Sequence, residues 1–211
     1  MAEKTMSIHQ ALAELKTYES KIFKATREEF VAVNRKGNDK IGSYTKDEYA
    51  NMLKGNLDKV KALISNKKII KSAIVLSNAN TKVTIGGEEY TVAEAIERKN
   101  MISYEKQLLT SMKSQYSIGT TKIESENNSL AVRLEGYLKS VVNEKDKNNP
   151  EIVKQYEKQF RDVNEYELID PNKIADVIKT LEKDIEDFET EVDYKLSESN
   201  TVTQITVNLA D

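Results

Sequence analysis

SNANTKVTIGGEEYTVAEAIERKN, residues 77–100, reads as a tight β-hairpin that runs straight into a capped helix. Thr81, Val83 and Ile85 alternate with polar residues, and Gly86-Gly87 supplies the two φ > 0 positions that a type I′ turn demands. Glu88 to Tyr90 return as the second strand, so the hairpin occupies 81–90. Thr91 with Glu94 three residues on forms a capping box, in which each residue satisfies the other's backbone amide, and a helix starts there. One small hairpin in a helical chain serves to fix a register, cap a bundle or join a neighbouring subunit.

Outward from this junction the pattern is helical. Ser7 and Gln10 cap a first helix carrying Ile8, Leu12, Leu15, Ile22, Phe23 and Phe30, which fades near Asn34 into a loop around Gly37 and Gly42. Thr45 and Glu48 cap a second, whose apolar positions from Tyr49 to Ile74 keep a helical period to about Leu76. The third runs from Thr91 to about Tyr116, and residues 117–162 form an inserted helical arm broken at Asn148-Asn149-Pro150. Tyr166 to Ile169 read as extended. Asp170 as N-cap and Pro171 at the first helical position open the last helix. There Ile174, Ile178, Leu181, Ile185, Phe188 and Val192 step by fours and threes as a heptad seam, expected to pack on the first or second helix. Residues 201–209 close the chain as an edge strand, with Thr203, Ile205, Val207 and Leu209 on one face, expected to pair with the hairpin at 81–90. The expectation is a mainly α, elongated antiparallel helical bundle or coiled coil with a small β-hairpin and a C-terminal edge strand, in a single domain over 1–211.

Composition agrees with long solvated helices. Charged residues make up 32% and apolar ones 38%, with only seven Gly and two Pro to interrupt helices. No cysteine is present, which excludes disulfides and thiolate metal sites. No apolar run approaches the roughly 20 residues of a membrane span, and the N-terminus lacks the apolar core of a signal peptide. A cytoplasmic location and no membrane partner are expected. The bias to lysine over arginine, with many Asn and Ile, suits an AT-rich genome such as that of a low-GC bacterium or its phage.

The net charge of −3 is unevenly spread. Residues 165–198 hold 12 Asp/Glu against 4 Lys, whereas Lys54, Lys59, Lys61, Lys67, Lys68 and Lys71 face one nearby acid, Asp58. A basic and an acidic helix in one chain imply complementarity within or between subunits, or else an anion-binding surface. The acidic balance argues against a nucleic-acid partner.

The first helix (IHQALAELK), the stretch from Ser77 to Leu109 and the ending from Asp170 to Val207 together resemble the septicolysin-like family of small bacterial and phage proteins. Asn78 and Asn80 stand at the family's Asn-rich junction, Gly86-Gly87 at its hairpin turn, and Ala95 with Arg98 and Lys99 at its ALxRR helix start. Asn200 to Thr203 stand at its late Asn-aromatic-Thr motif, where Thr201 replaces the aromatic. The resemblance covers about two thirds of the chain and implies no enzymatic activity. The pore-forming toxin that the family's name suggests does not suit so polar a chain.

Catalytic groups are scarce. His9, the one histidine, sits in a first helical turn, and neither HExxH, a P-loop, GxGxxG nor a Cys/His cluster occurs. Carboxylate pairs Asp184/Asp187 and Glu186/Glu189 read as a solvated helix face, and Tyr90, Tyr104 and Tyr116 as packing or stacking groups. The expectation is a non-enzymatic homo-oligomer without cofactor that captures a small anionic, nucleotide-derived ligand, a phage anti-defence sponge. Arg98, Lys99, Asn78, Asn80, Asn200 and Tyr104 are the candidate ligand-binding residues, because helix starts and Asn-rich turns present amides to anions. The alternative is a coiled-coil scaffold docking a macromolecular partner, in which Arg98 and Lys99 form ion pairs with the acidic helix.

Overall fold

The computed structural model describes residues 2–210; Met1 and Asp211, the two ends of the expected 1–211 domain, lie outside the described residues. The chain is mainly α, 70% helical, with small antiparallel strand pairs. In order, the elements are β1 (Ala2–Ser7), α1 (Ile8–Ala25), β2 (Lys40–Ile41), β3 (Tyr44–Thr45), α2 (Lys46–Asn80), β4 (Lys82–Ile85), β5 (Glu88–Thr91), α3 (Val92–Val141), α4 (Pro150–Asn164), α5 (Ile174–Val202) and β6 (Gln204–Leu209). Contacts group them into two compact units, one of residues up to Asn100 with those from Asp187 onward, the other of Met101–Glu186.

In the first unit, α1 and α2 run antiparallel. Lys67 reaches Glu19 of α1 at 3.0 Å, and just past the end of α1 Lys59 reaches Glu28 at 2.7 Å and Asn56 Nδ2 donates to the Glu29 carbonyl at 2.9 Å, so rising positions along α1 and its exit meet falling positions on α2. Both capping boxes expected at Ser7/Gln10 and Thr45/Glu48 close. Onto this pair lies a ribbon of β1 and β6, whose apolar side chains Met6, Ile205, Val207 and Leu209 join Ile8, Ala11, Tyr18, Ile70 and Ile74 in one core. Asn66, polar but in the inward register of α2, is buried there. Its Nδ2 donates to the Ala210 carbonyl and its Oδ1 accepts from the Ala210 amide, both at 2.8 Å, which anchors the end of β6.

The ribbon corrects the expected strand pairing. β6 pairs with β1 in the register Ala2↔Leu209 to Ser7↔Gln204, while β4 and β5 pair only with each other among the described residues. β1 (AEKTMS) buries Met6 and half-buries Ser7, so it carries no alternating apolar signal; β6 supplies the apolar face for both. Thr201 and Val202, expected in the strand, form the last turn of α5. Helix α1 ends at Ala25 rather than near Asn34, with Thr26 donating its hydroxyl to the Phe23 carbonyl, and residues 40–45 of the expected loop make a two-residue strand pair.

In the second unit, α3 continues without a break to Val141, where a boundary near Tyr116 was expected. Gly119 lies mid-helix, where an added Cβ would stand 3.2 Å from Leu168 Cδ1. Asn127 exchanges two 2.9 Å hydrogen bonds with the Tyr166 backbone, which holds the irregular 165–169 stretch on α3 where an extended segment was expected. Tyr137 stacks on Phe160 of α4 at 4.8 Å between ring centroids. Helix α5 starts at Ile174, three residues after the expected Pro171: Asp170 Oδ2 accepts from the Ile174 amide at 2.8 Å across a turn in which Lys173 takes φ 51°.

Candidate functional site

The residues singled out at the hairpin–helix junction fall into place from the backbone outward. Gly86 and Gly87 take φ 59° and 83°, the two left-handed positions of the turn. Gly86 approaches α5 so closely that a Cβ would lie 3.2 Å from Asp187 Cβ, and its amide donates to Glu191 Oε2 at 2.8 Å. After the hairpin, Thr91 N–H donates to Glu94 Oε2 at 2.7 Å and the Glu94 amide to Thr91 Oγ1 at 3.1 Å, closing the capping box. The Thr91 amide and hydroxyl, both donating to its carboxylate, hold the Glu94 carboxyl below its ordinary value of 4.5; the Thr45 backbone and hydroxyl do the same for Glu48. The Val92 amide donates to the Thr81 carbonyl at 2.8 Å. Two of the first amides of α3 are thereby satisfied, and Glu94 already supplies a negative charge to the helix start.

Arg98 and Lys99, one turn further on, face α5. The Arg98 guanidinium donates to the Tyr90 hydroxyl and lies 4.5 Å from the centroid of the Phe188 ring, a cation–π distance. Tyr90 meets the same ring edge-on at 5.8 Å. Phe188 is one of the largest fully buried side chains, worth about 1.5–3 kcal/mol by its burial. Lys99 Nζ donates to Asp193 Oδ1 in an exposed ion pair. Around Phe188 the seam of α5 meets Tyr90 of β5 and Arg98 of α3.

The remaining candidates are spread out. Asn78 is half-buried in the last turn of α2, and Asn80 is exposed with its Nδ2 returning to the Leu76 carbonyl at 2.7 Å. Asn200 is half-buried near the end of α5, and Tyr104 is exposed on α3 in the other unit. What the sequence reading missed is Phe188 as the platform for Arg98: it appeared only as one member of the heptad seam. Asn66 carried a legible signal, a polar residue among the apolar positions of α2.

The largest cavity described lies elsewhere in the first unit. About 560 Å³ in volume, it is bounded by Tyr18 of α1, by Asp58, Lys59, Leu63 and Asn66 of α2, and by Ala210. Among the described residues, no group of three or more His, Asp or Glu side chains could hold a metal ion, and no helix is long and apolar enough to cross a membrane. No family model matches the chain, and no curated protein or solved structure is similar to it.

Proposed function

We propose that this chain is a non-enzymatic, self-associating helical scaffold that docks a macromolecular partner. The observation that carries this reading is the use made of Arg98 and Lys99. The two cations best placed to take an anion at the start of α3 are occupied inside the chain, by Tyr90 and Phe188 in one case and by Asp193 in the other. A guanidinium seated on a buried ring is a packing element. Self-association is supported by α3, on which Met101, Tyr104, Leu108 and Ile118 follow heptad spacing on an exposed, uncharged stripe.

A second reading, capture of a small nucleotide-like anion by a phage protein of septicolysin-like type, is favoured by the cavity at α1 and α2. Its volume falls within the ordinary range for small-ligand sites, Tyr18 offers a ring, and Lys59 a cation that a ligand would have to draw from Glu28. Calorimetry against cyclic nucleotides and ADP-ribose derivatives separates the two, with Arg98→Ala and Lys59→Ala run alongside. The scaffold reading expects no heat with any ligand and a lower melting temperature for Arg98→Ala. Heat from the unmodified protein that either variant abolishes establishes ligand capture instead.

A further inference from the structure

The outer face of α2 carries lysines that make no ion pair among the described residues. Lys54, Leu57, Lys61, Ile64, Lys68, Lys71 and Val75 follow one another at steps of three and four, and all are exposed. The stripe lies one position round the helix from the inward seam of Val60, Ile70 and Ile74, and covers about 30 Å of helix. Lys67 is paired with Glu19 of α1 and Lys59 with Glu28 just past its end, but Lys54, Lys61, Lys68 and Lys71 make no ion pair among the described residues. The acidic helix that the sequence offered as their counterpart is engaged by α3: Lys99 takes Asp193 in the first unit, and Lys113 takes Glu182 in the second.

We propose that this stripe is a docking surface for an acidic amphipathic helix of another protein, an inference that rests on the docking reading above and names the partner's chemistry. A helix with an aliphatic seam flanked by Glu or Asp matches the stripe in period and in charge. Leu57, Ile64 and Val75 take the seam, and the four lysines take the carboxylates. A second copy of the same stripe does not fit, because antiparallel self-pairing sets Lys61 against Lys68. Nucleic acid fits less well. The stripe has no aromatic or arginine to stack on bases, its lysines alternate with aliphatic groups, and the chain as a whole is acidic, with a net charge of −3.

The test is fluorescence anisotropy of the full chain with a labelled peptide about four heptads long, carrying Leu at positions a and d and Glu at e and g. Mutual repulsion of the glutamates keeps such a peptide from pairing with itself. The proposal expects saturable binding that weakens with salt. Lys61→Glu/Lys68→Glu should weaken it by about tenfold or more, with an unchanged circular dichroism spectrum, and should gain affinity for the same peptide with Lys at e and g. No binding of the Glu peptide, equal binding by the variant, or tighter binding of duplex DNA or of anionic lipid vesicles under the same conditions overturns it. Any of these results from a protein that is still a self-associated assembly, and still silent toward nucleotides, removes the partner assignment and leaves the scaffold reading standing.

Discussion

Arg98 lies over the Phe188 ring and donates to the Tyr90 hydroxyl. Replacing it with alanine strips the cation from the Phe188 ring and the donor from the Tyr90 hydroxyl. A loss of about 1–3 kcal/mol is expected, read as a lower melting temperature, and an unchanged melt would contradict the structural role. Asn66→Ala takes from the half-buried amide and carbonyl of Ala210 their Asn66 partners and should cost about 1–3 kcal/mol; a loss within error of zero would mean that β6 is not anchored there. The capping glutamates give a pH dependence whose sign is fixed. Glu48 and Glu94 are held below their ordinary value of 4.5, so their contribution is complete above about that pH and is lost as pH falls through the lower folded values. Carboxyl chemical shifts followed by NMR should give midpoints below 4.5 for both, and a midpoint at or above it would deny the capping bonds. These boxes were readable because a capping box is a local pattern of residue types. Phe188 beneath Arg98 was not, since the two are brought together by an approach about 90 residues apart in sequence.

At the scale of elements, the close approach of β4–β5 to α5 hangs on Gly86. It combines a left-handed backbone with an approach so close that an added methyl group would stand 3.2 Å from Asp187 Cβ and α5 would have to give way. Gly86→Ala should therefore destabilise the protein by about 1–2 kcal/mol from the backbone alone, with the crowding against Asp187 added. Gly55, inside α2 with nothing within 4 Å of an added methyl group, is the control: alanine there should stabilise by about 0.5–1 kcal/mol. Equal effects of the two substitutions in thermal melts would mean that the hairpin does not rest on α5. The glycine turn, the three capping boxes and the inward period of α2 were legible because each is written in neighbouring residues. The strand β1 was not: it borrows its apolar face from β6, which lies about 200 residues away, so its own residues look like a polar leader. The boundary expected near Tyr116 failed for a related reason: α3 runs on to Val141, and Asn127 in that continuation is held by the Tyr166 backbone, which is remote from it in sequence.

Across the whole molecule, the uneven charge resolves into local pairings. The α2 lysines at 59 and 67 answer Glu28 and Glu19, the α3 lysines at 99 and 113 answer α5, and the outer α2 lysines remain exposed. The candidate ligand site was legible in the sequence as a cluster of cations beside a hairpin, but which way each cation turns is a tertiary fact. A chain whose cations hold its own helices, and whose third helix leaves an uncharged apolar stripe exposed, is suited to assembly. Light scattering of the full chain at micromolar concentration tests this most directly. The account predicts a mass that is a multiple of 24.0 kDa, falling to 24.0 kDa when Leu108→Glu places a charge in the α3 stripe; a mass of 24.0 kDa for the unmodified protein would contradict it.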